Sequence, residues 1–402
     1  MSVAPTDQDR PDPTGRRAWR GLLALLRPKS EKPKSRPRSI ALWLHRWLGL
    51  TVGVILAMTG LTGSYLAFYL PIERAVIAPL RVSPGAQPVS LEAVHQALIK
   101  VGPSARGSWD IEIPENGGVI TSRFAERGQP RRMVSVDPVS LQVVHEGAWG
   151  QTVSTWIYEL HYRLLMGRDG ATVMGVFGLL LMVGLVTGGV LWWRSGRDLK
   201  TRLAYAGGST QRQLYDVHRL LGLGAGVLLS VLVLTATAMN LPKVVRPALA
   251  AVSPISAPSK PPKSAPAQDR PRLTVDDAVA IARQRLPEAE LRWVQVPNKA
   301  SGAYGVRFWQ KGEPNRRFPK TYVFVDQYSG QVLAVRDGLQ GTASDHILTW
   351  LYPLHSGQAF GLIGRSVVAL LGLTPTILLI TGFLRWRAKR RSQVARLRRA
   401  AA

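Results

Sequence analysis

Four apolar runs limit what this chain can become. They extend from about Leu42 to Leu70, Ala171 to Trp193, Leu220 to Leu241 and Ser366 to Trp386. Each reaches the roughly 20 residues that a helix needs to cross a bilayer, and tryptophans mark several ends, as at membrane interfaces. The expected fold class is an α-helical membrane protein. A buried core helix could account for one such run but poorly for four.

The charges flanking these runs give an orientation. Residues 1–40 hold ten Lys/Arg, the link Arg194–Tyr215 five, and the tail from Arg385 eight with no acid. By the positive-inside rule these three segments are expected in the cytoplasm, with both termini inside and the long loops 71–159 and 242–350 outside. The balance of 52 Lys+Arg to 25 Asp+Glu and net charge of +27 would also suit a nucleic-acid binder. The bases flank apolar runs, however, so membrane lipid is the expected partner and nucleic acid is not. The first run is too long for a cleaved signal peptide, and a basic stretch of about forty residues precedes it. Ala18–Leu26 reads as either a short basic amphipathic helix or an irregular arm. The absence of cysteine excludes disulfides, thiolate metal sites, iron–sulfur clusters and covalent C-x-x-C-H haem attachment.

The chain also repeats itself. Leu44-His45-Arg46-Trp47-Leu48-Gly49-Leu50 recurs as Val217-His218-Arg219-Leu220-Leu221-Gly222-Leu223, and Leu160-His161 as Leu354-His355. Thr187-Gly188 and Thr381-Gly382 follow those later histidines at one offset, as do Trp192 and Trp386. Val136–Val143 resembles Val325–Val332. Each half therefore reads as span, outside domain, span. The expected boundaries are a basic arm 1–40, span 41–70, domain 71–159, histidine segment and span 160–193, and link 194–215. The second half gives span 216–241, linker and domain 242–350, histidine segment and span 351–387, and tail 388–402.

Both outside domains read as small and α+β. In the second, Thr274-Val275-Asp276-Asp277 is expected to cap a helix to about Leu286. Strands follow near Tyr304–Trp309, Thr321–Val325 and Gln331–Val335, the last pair joined by a turn at Asp326–Gly330. The first domain reads as a helix near Leu91–Val101 and strands near Trp109–Ile113, Val119–Phe124 and Arg132–Val136, with a closing hairpin. Ser253–Pro271, rich in Pro, Ser, Ala and Lys, reads as an extended linker.

With these motifs in this order, the chain over about 39–390 resembles the PepSY-associated transmembrane family. That resemblance implies a four-helix transmembrane bundle from a tandem repeat, two PepSY-like periplasmic domains, and location in a bacterial inner membrane. It also implies haem-containing ferric siderophore reductases among the relatives, with a ferric siderophore as acceptor.

The histidines bear on that chemistry. His45 and His218 open spans one and three on the inner side, and His161 and His355 precede spans two and four on the outer side. An ionisable group at a span edge is a functional candidate by default. His45, Gly49 and Gly53 share a helix face, as do His218, Gly222 and Gly226. Bare backbone beside a ligand suits a porphyrin edge, and the same spacing suits small-residue helix packing. The simplest bis-imidazole pairing is His45 with His218 and His161 with His355, giving two b-type haems. Arg46 and Arg219 read either as propionate partners or as positive-inside anchors. No acid occupies repeat-equivalent positions beside these histidines to complete a zinc site. His95 and His145 read as structural or exposed, and His346 as a substrate contact or alternative ligand.

No G-x-G-x-x-G opens a helix after an expected strand, so electrons are expected from quinol or a separate membrane or cytoplasmic donor. Trp149, Trp156, Tyr352 and Arg365 are expected near the outer site. The leading reading is a transmembrane di-haem reductase. The competing readings are a membrane-anchored peptide-binding or protease-regulating protein, and an iron or siderophore permease.

Overall fold

A computed structural model describes residues 36–76, 90–102, 107–115, 117–193, 198–256, 261–265 and 270–401. The helix considered at Ala18–Leu26 lies outside the described residues.

The first half runs through α1 (Arg36–Leu50), α2 (Val52–Leu66), α3 (Tyr69–Val76) and α4 (Leu91–Val101). Strands β1 (Ser108–Glu112), β2 (Ile120–Ala125), β3 (Arg132–Val136) and β4 (Val143–Ala148) follow, then α5 (Val153–Arg163) and α6 (Gly167–Trp193). A short α7 (Leu199–Leu203) leads to the second half. This comprises α8 (Thr210–Asn240), α9 (Pro242–Ala250), α10 (Val275–Arg285), β5 (Glu290–Val296), β6 (Ala303–Trp309), β7 (Thr321–Asp326) and β8 (Val332–Arg336). It closes with α11 (Ala343–Ser356) and α12 (Gly361–Ala401).

Helices α6, α8 and α12 are each long and apolar enough to span a bilayer. The first expected span is instead a broken pair: α1 and α2 meet at Thr51 with a bend of 50°, making a fourth span if taken as one. The chain thus has three to four candidate spans. In the hydrophobic windows of the three long helices only 17–28% of residues are buried, so most apolar side chains keep some surface open that lipid would solvate. The helices close a ring, α1 and α2 against α6 and α12, with α8 between α6 and α12. Small residues set the approach. A Cβ on Gly60 of α2 would lie 2.3 Å from the Gly372 carbonyl of α12, and Ser64 Oγ donates to the Ala369 carbonyl at 2.7 Å.

The strands of the two expected α+β segments meet in a single sheet. All eight strands form one antiparallel sheet in the order β4-β3-β2-β1-β5-β6-β7-β8. Two meanders join where β1 pairs with β5, Trp109 opposite Val296 and Glu112 opposite Trp293. This pairing hides two edges that would otherwise expose unpaired N–H and C=O groups. One core continues across the join: Val94, Leu98, Ile111 and Phe124 from the first half cluster with Ala278, Val294, Val306 and Phe308 from the second.

Helices α4 and α10 cover one face, and each caps the other. Asp276 accepts from Leu91 N at 2.9 Å, Glu92 N at 3.1 Å and Ser90 Oγ at 2.5 Å, while Glu92 accepts from Val275 N at 2.8 Å. Carboxylates at helix N-termini satisfy orphan amides and favour the dipole. Thr274 and Asp277 form the capping box expected of α10. The linker is pinned in places: Ser264 Oγ accepts from Gln327 N at 3.0 Å and Asp326 from Ala265 N at 3.2 Å.

Candidate functional site

Each repeat-equivalent histidine is held by a helix from a different segment of the chain. His45 on α1 bonds through Nδ1 to the Gly184 carbonyl of α6 at 3.0 Å. His218 on α8 bonds to the Leu378 carbonyl of α12 at 3.1 Å and to Thr381 Oγ1 at 3.0 Å. His161 on α5 bonds to Thr62 Oγ1 of α2 at 3.0 Å. His355 on α11 bonds to the Leu232 carbonyl of α8 at 3.0 Å and to Thr235 Oγ1 at 3.3 Å.

These partners settle the tautomer. A carbonyl can only accept. The threonine hydroxyls spend their protons on their own helix, Thr62 on the Met58 carbonyl at 2.9 Å, Thr235 on Val231 at 2.8 Å and Thr381 on Ile377 at 2.7 Å. In all four rings Nδ1–H is therefore the donor, which leaves Nε2 as the nitrogen a neutral ring would offer to a ligand. A fixed Nδ1–H bond of this kind is the usual support behind a metal-ligating histidine.

The rings meet in two pairs. The centroids of His45 and His218 are 6.1 Å apart at 85°; those of His161 and His355 are 6.1 Å apart at 53°. Metal–imidazole bonds of about 2 Å on either side of one ion would put two ring centres about 6 Å apart, the spacing seen in both pairs. Among the described residues no three His, Asp or Glu side chains converge on a metal position. A bare ion would lack further protein donors, whereas a porphyrin brings its own four. Leu232 and Thr235 follow His218 on the same helix at 1.5 Å per residue, which separates the pairs by roughly 20–25 Å.

Glycines seat the rings. A Cβ on Gly188 would lie 2.9 Å from His45 Cε1, one on Gly63 3.0 Å from His161 Cε1, and one on Gly382 3.4 Å from His218 Cε1. Gly49 would meet nothing within 4 Å, and Gly222 only Leu378 Cδ2 at 3.7 Å. Arg219 is occupied elsewhere: its guanidinium pairs with Asp216 at 3.0 Å and donates to the Ala204 and Thr201 carbonyls at 2.6 and 3.3 Å. It clamps the link between the halves. Arg46 is half-buried on α1, with no such clamp to it among the described residues.

His161 and His355 open onto a cavity of about 1110 Å³ between the bundle and the sheet. Apolar and small residues line its deep part, among them Leu56, Gly60, Phe177, Leu229 and Val368. Trp149, Tyr352 and Arg365 line it as expected, and His145 does as well. Trp156 is exposed instead. Trp149 is fixed by its Nε1–H to Glu159 Oε1 at 2.7 Å. His346 stands one turn into α11 and His95 on α4 above the sheet, away from both pairs. Burial lowers the His95 pKa, partly offset by Glu92.

Tyr158, Thr62 and Thr235 are site residues beyond those named from the sequence. The repeated unit is longer than Leu-His: Trp156-x-Tyr158-x-Leu160-His161 matches Trp350-x-Tyr352-x-Leu354-His355, and both tyrosines line the cavity. Thr62 and Thr235 stand equally far beyond His45 and His218, a signal that was present but not singled out.

The family model for the PepSY-associated TM region matches residues 42–389. The chain belongs to this family. It is thus a PepSY-associated membrane protein, and the match spans both halves with all four paired histidines. Comparison with curated proteins finds no match.

Proposed function

We propose that this chain is a di-haem b protein of the bacterial inner membrane that delivers electrons to a periplasmic ferric siderophore, releasing its iron as Fe²⁺. The reading rests on one observation, the two facing histidine pairs, each 6.1 Å between ring centres, at opposite ends of one bundle. When bound, haem supplies one-electron chemistry at its iron.

The protein's own groups do the rest. His45 and His218 hold the group on the cytoplasmic side, and His161 and His355 the group facing the sheet. The carbonyls of Gly184, Leu378 and Leu232 and the hydroxyl of Thr62 fix ring orientation. The apolar depth of the cavity excludes water. The acceptor enters above Tyr158 and Tyr352, with the sheet end taken as periplasmic. One electron converts each bound Fe³⁺ to Fe²⁺, which hard oxygen ligands hold less firmly. A quinol or a separate donor provides it.

The test is the spectrum of protein purified from haem-replete cells. The expected result is a reducible b-type spectrum, reoxidation of the dithionite-reduced protein by a ferric siderophore, and Fe²⁺ trapped by a chelator. A colourless preparation would overturn the haem assignment. A red protein reoxidised by quinone and by no siderophore would overturn the acceptor.

A further inference from the structure

The cavity wall is unevenly charged. Among the described residues it presents Arg74, Arg123, Arg292, Arg316, Arg317 and Arg365 against Glu73, Glu112 and Glu115. Most of these charges are matched. Arg292 and Arg316 share Glu115 and Glu290, with contacts of 2.8 Å from Arg316 to each and from Arg292 to Glu290. Arg317 takes Glu112 with two bonds of 2.5 and 3.0 Å.

Among the described residues Arg74 is exposed to solvent, and two less exposed guanidinium groups, those of Arg123 and Arg365, are left under-neutralised. Among the described residues Arg123 is ion-paired only with the already engaged Glu112, at 3.4 Å, with its side chain 16% exposed; Asp110 stands opposite it across the β1–β2 pair without closing an ion pair. It rests over the Trp293 ring at 4.5 Å and the Phe318 ring at 5.3 Å. Arg365 donates to the Ala67 carbonyl at 2.8 and 2.6 Å and lies over Phe68 at 4.7 Å. A carbonyl and a ring face orient a cation without cancelling its charge. Leaving such charges partly buried is costly unless a counter-charge arrives.

We propose that this cavity selects polyanionic ferric chelates, those bearing catecholates or free carboxylates, with Arg123 and Arg365 meeting the negative charge. That the guest is an iron chelate rests on the reductase reading; that it is anionic rests on the wall itself. Charge complementarity of this kind governs which guest is accepted.

The experiment is calorimetric titration of the purified full chain with gallium(III) chelates, which bind like their ferric counterparts and are not reduced. A trianionic tris-catecholate, a neutral tris-hydroxamate and a tris-hydroxamate with a protonated amine are compared at low and high salt. The trianion should bind at least about tenfold more tightly than the neutral chelate, and salt should shrink this margin. Arg123→Gln and Arg365→Gln should each bring the trianion towards the neutral chelate and leave the latter unchanged. Arg123→Lys should keep most of the preference. Equal binding of all three chelates, or preference for the cation, would overturn the proposal. If Arg123→Gln fails to fold, the wild-type charge series and Arg365→Gln still decide. Gallium binding does not depend on haem reduction, so a preparation that prefers the trianion but transfers no electrons would sink the reductase reading alone.

Discussion

Helix α8 runs unbroken from Thr210 to Asn240 and meets both histidine pairs, whereas the matching stretch of the first half is α1 and α2, bent by 50° at Thr51. The same contrast recurs in the turns. The second-half hairpin uses Gly330 at φ 73°, and the first places Leu141 there at φ 58°. Helix α11 ends on Gly357 at φ 74°, α5 on Leu164 at φ 52°. Among the described residues every non-glycine with positive φ is a first-half leucine, Leu141, Leu164 or Leu165. Left-handed backbone costs an L-residue about 1–2 kcal/mol. The first half thus stores strain that the second avoids, yet both histidine pairs reach the same 6.1 Å. Each pair takes one histidine from each half, so contacts across the halves, not either backbone alone, set the spacing.

The strongest test of that view uses the histidines. If pairing across the halves holds the cofactors, His45→Ala and His218→Ala should each lower haem per protein by about half, despite their different helices. Haemochrome assay measures this. Loss in His218→Ala alone would show that His45, on the bent stretch, supplies no ligand.

The reciprocal caps come next. Asp276 accepts three bonds from the first half and Glu92 one from the second. Asp276→Ala should cost about 2–3 kcal/mol and Glu92→Ala about 1 kcal/mol. Thermal unfolding followed by circular dichroism gives the two values, and equal ones would remove the asymmetry.

Turn strain should produce a smaller difference. Gly330→Ala places a Cβ 2.9 Å from Ile281 Cδ1 at positive φ, for about 1–2 kcal/mol of destabilisation. Leu141→Gly relieves strain but strips contacts from the core it packs against, so it should be within about 1 kcal/mol of neutral. The same unfolding measurement compares them.

Acid sensitivity should be the smallest effect. The backbone N–H groups of Ser140 and Val139 hold the Asp137 carboxyl below its usual pKa. At Asp326 burial pushes the pKa up, but the Ser329 and Tyr328 amides outweigh it, so that carboxyl too is lowered. Unfolded carboxyls titrate near about 3.9. Both contributions are therefore complete above roughly that pH and disappear as pH falls through the lower folded values. Asp326 accepts a third amide, from Ala265. In unfolding midpoints measured across acidic pH, Asp326→Asn should flatten the fall more than Asp137→Asn.

Local chemistry made part of this fold readable in advance. Helix α4 spans Leu91–Val101 because Ser90 caps it and its apolar residues recur at helical spacing. Thr274 announces α10 in the same way. Strand β5 stayed hidden because a register shift between Leu291 and Trp293 disrupts its alternation. The β1–β5 join was invisible, since nothing local says which edge strand finds which. The bend at Thr51 contains no proline. The separation of α5 from α6 turns on Leu164 and Leu165 at positive φ as well as on Gly167. At the site the histidines stood out through repetition. Arg123 and Arg317 did not, because lone arginines in a strand and a loop look like ordinary surface charge until folding puts them under a sheet.

The continuous sheet bears on what can cross this bundle. A carrier that exposes its site first to one side and then to the other must rock one half against its mate. Here four facing residue pairs, from Trp109–Val296 to Glu112–Trp293, stitch the halves together at the sheet end. Rocking would have to tear or flex that seam on every cycle. A seam of this kind suits traffic that needs no gate, because electrons tunnel between fixed sites while solutes need an opening.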